Sequence, residues 1–231
     1  MIGSFDALLT APLRVVRAMR GASNRTLLVE AEGSGLAIYK PSSGEAPLWD
    51  YPPGTLHRRE VAAYEMSRAL GWPAVPATVL RDGPEGPGAV QGLVDAIAGE
   101  HFFTLREQRL PEFVAFALFD ALINNGDRKS GHCLLGKDGV IWGIDHGVSL
   151  GVEPNLRTVI WEFAGEPIPA DLAADLERVR AELHGDELGS RITRLLSAKE
   201  TAAAVERAEA LLEAGRLPEP GPARPFPWPL V

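Results

Sequence analysis

Short apolar runs suited to strands dominate the chain up to Gly99, interrupted by one stretch of helical spacing at His57–Leu70, and helical spacing dominates beyond it. Between Phe5 and Arg20 an Ala-Leu-Leu run and then Leu13–Met19 predict a short helix followed by a first strand. Gly21 to Arg25 is a small polar turn. Thr26–Ala31 reads as a strand, Glu32–Gly35 turns, and Leu36–Lys40 runs back. Pro41–Leu56, rich in Pro, Gly and Ser with Trp49 and Tyr51 embedded, predicts a loop. His57–Leu70 has helical spacing that places Ala62, Met66, Ala69 and Leu70 on one inward face, and Gly71 stops it. Val75–Leu80 and Ala89–Val94 predict a strand pair around a Pro/Gly turn over Arg81–Gly88.

Past Gly99 the pattern is helical. Pro111–Ile123 is apolar nearly all round, which predicts a buried helix, and Asp120 within it is expected to bond to loop backbone. Two short apolar runs around Lys137–Gly139 predict a β-hairpin. An irregular run to Pro169 carries Arg157, Trp161 and Glu162. Asp171–Arg180, Leu188–Leu196 and Ala198–Gly215 are amphipathic, charged helices with Gly185 and Gly215 as stops. Pro218–Val231 is a proline-rich tail containing Phe226 and Trp228, of the kind that straps onto a domain. The chain therefore reads as α+β: a small antiparallel-sheet lobe over residues 1–98, a mainly helical lobe over 99–217, and a tail over 218–231.

With 231 residues the chain can bury a substantial core, and 45% hydrophobic with 23% charged residues is ordinary for a soluble globular protein. A net charge of −8 argues against nucleic acid as a partner and against stable membrane association. One cysteine, Cys133, excludes an intramolecular disulfide and fits a reducing cytoplasm. No secretion signal and no apolar run of membrane-spanning length is seen.

The hairpin carries the chemistry. Asp127 precedes it and Asp145 follows it, so the fold of the hairpin holds two carboxylates near each other at one end. Such carboxylates repel unless a cation, a proton or a substrate offsets the repulsion.

Asp127-Arg128, His132 five residues after the aspartate, the hairpin, and Asp145-His146-Gly147 resemble the catalytic and metal loops of the phosphatidylinositol 3-/4-kinase superfamily, D-R-x-x-x-N and D-x-G. Arg59–Tyr64 is similar to the R-E-x-A-A-Y helix of type II phosphatidylinositol 4-kinases. The resemblance spans roughly Gly21 to Gly147 and is nearest to compact bacterial, actinobacterial-type members, which are related to HipA-type kinases. The abundance of Ala, Gly, Pro and Arg is compatible with a GC-rich bacterial genome.

The resemblance implies a two-lobed, protein-kinase-like fold with ATP in the cleft between the lobes. Gly21, Ser23 and Asn24 would form the phosphate loop. Lys40 would hold phosphate oxygens, steadied by Glu60, with Glu65 the competing partner. Gln91, Gly92, Leu93 and Val94 would bind adenine through the backbone. Asp127 would orient or deprotonate the acceptor hydroxyl, Arg128 would buttress the catalytic loop, and Asp145 and His132 would hold the metal. His146 reads as the variable middle residue of D-x-G.

Where the superfamily has Asn, this chain has His132. Mg²⁺ prefers oxygen ligands and Mn²⁺ tolerates imidazole better, so Mn²⁺ is expected to support turnover better than Mg²⁺. A kinase whose metal is held mainly by Asp145, a nucleotide-binding pseudokinase or regulatory module, and a metal-dependent hydrolase remain open. A hydrolase using Asp127, His132, Asp145 and His146 would not need Lys40 and Glu60. The expected acceptor is a hydroxyl of a protein or a soluble polyol. The acidic charge and the lack of a basic face make a phosphoinositide the weaker choice.

Overall fold

The computed structural model describes residues 5–19, 21, 23–185, 187–222 and 224–231. Arg20, at the end of the predicted first strand, and Ala22, inside the predicted phosphate loop, lie outside these. After helix α1 (Phe5–Thr10) the chain forms β1 (Leu13–Ala18), β2 (Leu27–Ala31) and β3 (Gly35–Pro41). Helix α2 (Leu56–Leu70) follows, then β4 (Thr78–Gly83) and β5 (Gly86–Gly92). These strands make one five-stranded antiparallel sheet in the order β1-β2-β3-β5-β4.

Period-two alternation gives the sheet two chemically distinct faces. Leu27, Val29, Ala37, Tyr39, Val79 and Val90 form a buried cluster on one face, closed by Leu8 of α1. Lys40 lies on the other face, paired in register with Ala89, as Ile38 is with Gln91.

The β4–β5 hairpin is longer and tighter than predicted. Arg81–Gly83 and Gly86–Gly88 are strand, Gly83 pairs with Gly86, and Leu93 and Val94 fall beyond the strand end. The glycines that suggested a wide turn serve packing instead. A Cβ at Gly83 would lie 2.7 Å from the Tyr39 ring, and the Tyr39 hydroxyl donates to the Gly86 carbonyl at 2.5 Å. Without side chains of their own, these strand residues let an aromatic ring cross the ladder.

The second body is helical: α3 (Phe102–Arg109), α4 (Val114–Leu122), α5 (Ala170–His184), α6 (Leu188–Leu195) and α7 (Ala198–Ala214). The predicted Pro111–Ile123 helix begins as a 3₁₀ turn over Leu110–Phe113, in whose first turn Pro111 is tolerated because N–H groups there have no partner within the helix. Strands β6 (Cys133–Leu135) and β7 (Ile141–Gly143) form the expected hairpin, with Gly139 at φ +80°.

Helix α2 joins the two bodies. It ends at Gly71, which takes a left-handed φ of 88°, as a helix C-cap requires. Its apolar stripe, Ala62, Met66 and Leu70, is buried in the same cluster as Phe116, Leu118 and Phe119 of α4 and Leu176 of α5. Arg59, 1% exposed, pairs with Glu200 of α7 and donates to the Ser149 carbonyl at 2.9 Å. The helix is thus anchored to the helical body at its back while its front edge faces the sheet. Among the described residues no helix is long and apolar enough to cross a membrane.

Candidate active site

A cleft of about 330 Å³ opens between sheet and helices, lined among others by Gly21, Ser23, Asn24, Lys40, Glu60, Asp127, His132 and Asp145. Eight predicted site residues from distant parts of the chain therefore meet in one place. Lys40 Nζ binds Glu60 Oε1 and lies 2.7 Å from Asp145 Oδ1. The other Glu60 oxygen accepts the His146 N–H at 3.0 Å. Glu65, the competing candidate, is engaged with Arg68 and Arg191 instead. Gly147 is small for a reason: a Cβ there would come within 3.3 Å of Glu60 Oε1.

Electrostatics follow from this packing. Burial works to lower the Lys40 pKa, but Asp145 and Glu60 outweigh it and raise the ammonium above its ordinary value. Lys40 holds the Asp145 carboxyl well below the usual carboxylate range. Burial raises Glu60 against the opposing charge of Lys40. Across the cleft Asp127 Oδ2 is 3.0 Å from Lys129 Nζ, and burial raises the Asp127 carboxyl although Lys129 opposes the shift.

His132 Nε2 lies 3.2 Å from Asp145 Oδ2. Burial lowers the imidazole pKa to about 4, so the ring is neutral near pH 7. Nδ1 accepts the Lys129 N–H at 3.4 Å, which leaves the ring proton on Nε2 facing Asp145, and a metal held by Nε2 would require the other tautomer. Two donors 3.2 Å apart suit one edge of a cation's coordination shell. No cluster of three or more His, Cys, Asp or Glu ligands occurs among the described residues, so phosphate oxygens and water would complete the shell.

Arg128 does not enter the cleft. It is fully buried, and its guanidinium contacts both Asp120 oxygens at 2.9–3.0 Å. It also donates to the carbonyls of His132 at 3.2 Å and Ile144 at 3.1 Å, the residues that start the hairpin and precede Asp145. Arg128 thus ties the Asp127 loop to the strand end bearing Asp145. Asp120 bonds chiefly to side chains rather than to loop backbone: it accepts from Arg128, Asn125 and Thr158. His146, read from sequence as a variable position, is 0% exposed and 2.7 Å from Arg128 Nη2. Burial and the Arg128 charge keep it neutral. The left-handed residue at the start of this loop is Asn124, at φ +51°, rather than Gly126. Gly126 gives clearance, since a Cβ there would lie 2.7 Å from Asn155 Nδ2.

The predicted adenine residues are not drawn into the polar cleft. Gln91 is buried and donates from Nε2 to Thr78 Oγ1 at 2.8 Å. Gly92, Leu93 and Val94 line a separate apolar cavity of about 310 Å³ with Trp142 and Leu8. In the phosphate-loop region Asn24 Oδ1 accepts the Ala46 N–H at 2.7 Å, fixing the following loop beneath the turn.

Three cleft features were missed in the sequence. Lys129, two residues past Asp127, was legible from its place in the same loop. Glu45 accepts the N–H groups of Leu56 and His57 at 3.1 and 2.9 Å, capping the α2 N-terminus from the cleft wall. It lies in an aperiodic loop and gave no signal. Pro229 and Val231 of the tail also reach the cleft.

This architecture is that of a two-lobed, kinase-like protein. The chain is similar to the Golgi casein kinase with Mn/ADP bound (TM-score 0.59, 14% identity, covering 91% of this chain and 74% of that one). It is similar also to the proinflammatory kinase CtkA of Helicobacter pylori (TM-score 0.55, 12% identity, 90% and 94% covered). Hydra Fam20 with sugar matches at TM-score 0.53 and 13% identity, over 91% of this chain and 86% of that one. No family model matches the chain. It belongs to the family of Protein Rv2133c of Mycobacterium tuberculosis, with which it is 39% identical over 256 aligned positions that cover 94% of this chain and 91% of the relative.

Proposed function

We propose that the chain is an ATP-dependent phosphotransferase of the phosphatidylinositol 3-/4-kinase-like group, moving the γ-phosphoryl group to a hydroxyl of a protein or a soluble polyol. The observation that carries this reading is Lys40 held between Glu60 and Asp145, facing Asp127 across one cleft. A solvated strand lysine has no need of two carboxylates, and a hydrolytic metal site has no need of the lysine. The kinase fold of the neighbours, one of them holding Mn/ADP, supports the same reading.

In this scheme Lys40 binds phosphate oxygens, and Glu60 keeps its ammonium in place when Asp145 turns to the metal. A divalent cation at Asp145 and His132 would neutralise charge on the phosphates. Asp127 orients the acceptor hydroxyl and takes its proton as the bond to phosphorus forms and ADP departs. Its raised pKa suits a group that must accept that proton. Lys129 steadies Asp127 and offers a second positive charge on the acceptor side. The net charge of −8 supports a soluble acceptor rather than nucleic acid or an anionic membrane surface.

The test is ATP binding and turnover with Mg²⁺ or Mn²⁺, beside Asp145→Asn. Metal-dependent turnover lost in the variant is the expected result. Absence of nucleotide binding with either metal would overturn the proposal.

A further inference from the structure

The C-terminal segment 224–231, Arg-Pro-Phe-Pro-Trp-Pro-Leu-Val, crosses the catalytic loop and ends in the cleft. Its contacts are made through its main chain. The Pro225 carbonyl accepts from the Thr158 N–H and from Trp161 Nε1, each at 3.1 Å. Five residues on, the Leu230 carbonyl accepts the N–H of Ser130 at 2.9 Å, three residues past Asp127. Pro229 and Val231 then line the same cavity as Asp127 and Lys129.

The side chains contribute little. Only Pro227 is buried, whereas Phe226 is 46%, Trp228 77% and Val231 63% exposed. Among the described residues, three hydrogen bonds and one buried proline therefore hold the strap. Such a segment is ordered but easily exchanged, because nothing about its sequence is read closely. With the strap in place Ser130 is 0% exposed and its N–H is satisfied by the Leu230 carbonyl, so departure of the strap opens that donor to another acceptor. A peptide carbonyl, as that of Leu230 does here, fits this donor. Donors spaced along a track to accept main-chain carbonyls are how extended peptides are recognised.

We propose that the track under the strap is the acceptor site, that the acceptor is an extended peptide bearing Ser or Thr, and that the strap occupies the track until the acceptor displaces it. This rests on the phosphotransferase reading above and narrows its acceptor from protein or polyol to peptide. The strap lowers the fraction of molecules open to acceptor, and the apparent affinity falls by that fraction. Pro229 and Val231 share the cavity with Lys40, Gly21, Ser23 and Asn24 as well, but the strap's hydrogen bonds fall on Ser130, Thr158 and Trp161, so the strap is set against the acceptor and not against ATP.

The experiment compares the full chain with a chain ending at Pro222, using Mn-ATP and a degenerate library of unstructured Ser/Thr peptides. Truncation should raise peptide phosphorylation about tenfold by restoring the open fraction, with the KM for ATP unchanged. The free octapeptide 224–231 should then inhibit competitively against peptide and not against ATP. Should the truncated chain fold poorly, Pro227→Asp in the full chain loosens the strap alone and should raise peptide phosphorylation in the same direction. Equal phosphorylation by strapped and unstrapped chains overturns the proposal, as does transfer to glycerol or inositol but not to peptides. If neither chain binds or turns over ATP, the phosphotransferase reading itself falls. ATP turnover without any effect of the strap sinks this inference alone.

Discussion

Asp127 and Arg128 are neighbours in the chain and face opposite ways. Behind the loop, Arg128, Asp120, Asn125, Thr158 and His146 form a buried network. In front, Lys40, Glu60, Asp127, Lys129, His132 and Asp145 crowd one polar cleft. The rear network satisfies its charges internally and excludes water, so it behaves as a piece of the core. The front brings three carboxylates toward two lysines, leaves the Asp145 side chain half exposed, and pushes pKa values away from their ordinary ranges. The same residue types serve the core on one face and, in the proposed function, chemistry on the other, and the difference is whether each charge is enclosed with its partner or left facing a cavity.

Mutations can test whether the two faces are separable. The largest expected effect is at the rear: Asp120→Ala strands the Arg128 charge in the core and should cost about 3–5 kcal/mol in denaturant unfolding. A loss below about 1 kcal/mol would mean that water reaches Arg128 and that the contrast is false. At the front, Lys40→Ala should leave the fold far less affected, since Glu60, its pKa already raised by burial, can take up a proton. ATP turnover should fall by two to three orders of magnitude, on the order of 3–4 kcal/mol of transition-state stabilisation. Retained turnover would favour the metal-dependent hydrolase.

A smaller effect appears on acidification of the metal-free protein. His132 has a folded-state pKa of about 4 against an ordinary 6.5, so the unfolded chain takes up a proton first as pH falls. Its stabilising contribution is complete above pH 6.5 and is lost as pH drops toward 4. Between pH 7 and 5 the loss should be about 2 kcal/mol, and His132→Asn should flatten that part of the slope. His146, shielded in the same way, keeps a residual slope. An identical pH profile for His132→Asn would place His132 in contact with solvent. The smallest effect is metal choice: Mn²⁺ should exceed Mg²⁺ severalfold in turnover, and His132→Asn should narrow or reverse that order. Equal or better turnover in Mg²⁺ for the unaltered chain would remove imidazole from the metal's shell.

Much of the architecture was written in local pattern. The alternation in β2 and β3, the stripe along α2 with its Gly71 stop, and the paired runs around Lys137–Gly139 each depend only on near neighbours, and the observed elements follow them. The β4–β5 turn was misplaced because glycines there answer to the Tyr39 ring, a contact 44 residues away in sequence between Tyr39 and Gly83. The close packing on Gly126 went unseen, and His146 was misread, for the same reason. Their surroundings, Asn155 and Arg128, come from other segments.

The chain's own order of residues determined the α+β division, the amphipathic faces, and the presence of Lys40, Glu60, Asp127 and Asp145 in an order and spacing that suit one cleft. Periodicity and turn chemistry act over a few residues, and a single sequence records them directly. Only tertiary structure decided that Glu60 rather than Glu65 meets Lys40, that Arg128 turns inward to Asp120, that Gly92–Val94 face an apolar cavity apart from the phosphate end, and that the tail lies across the catalytic loop. Each of these depends on which side chain loses water and which partner it then meets, and that is set by elements brought together from opposite ends of the chain.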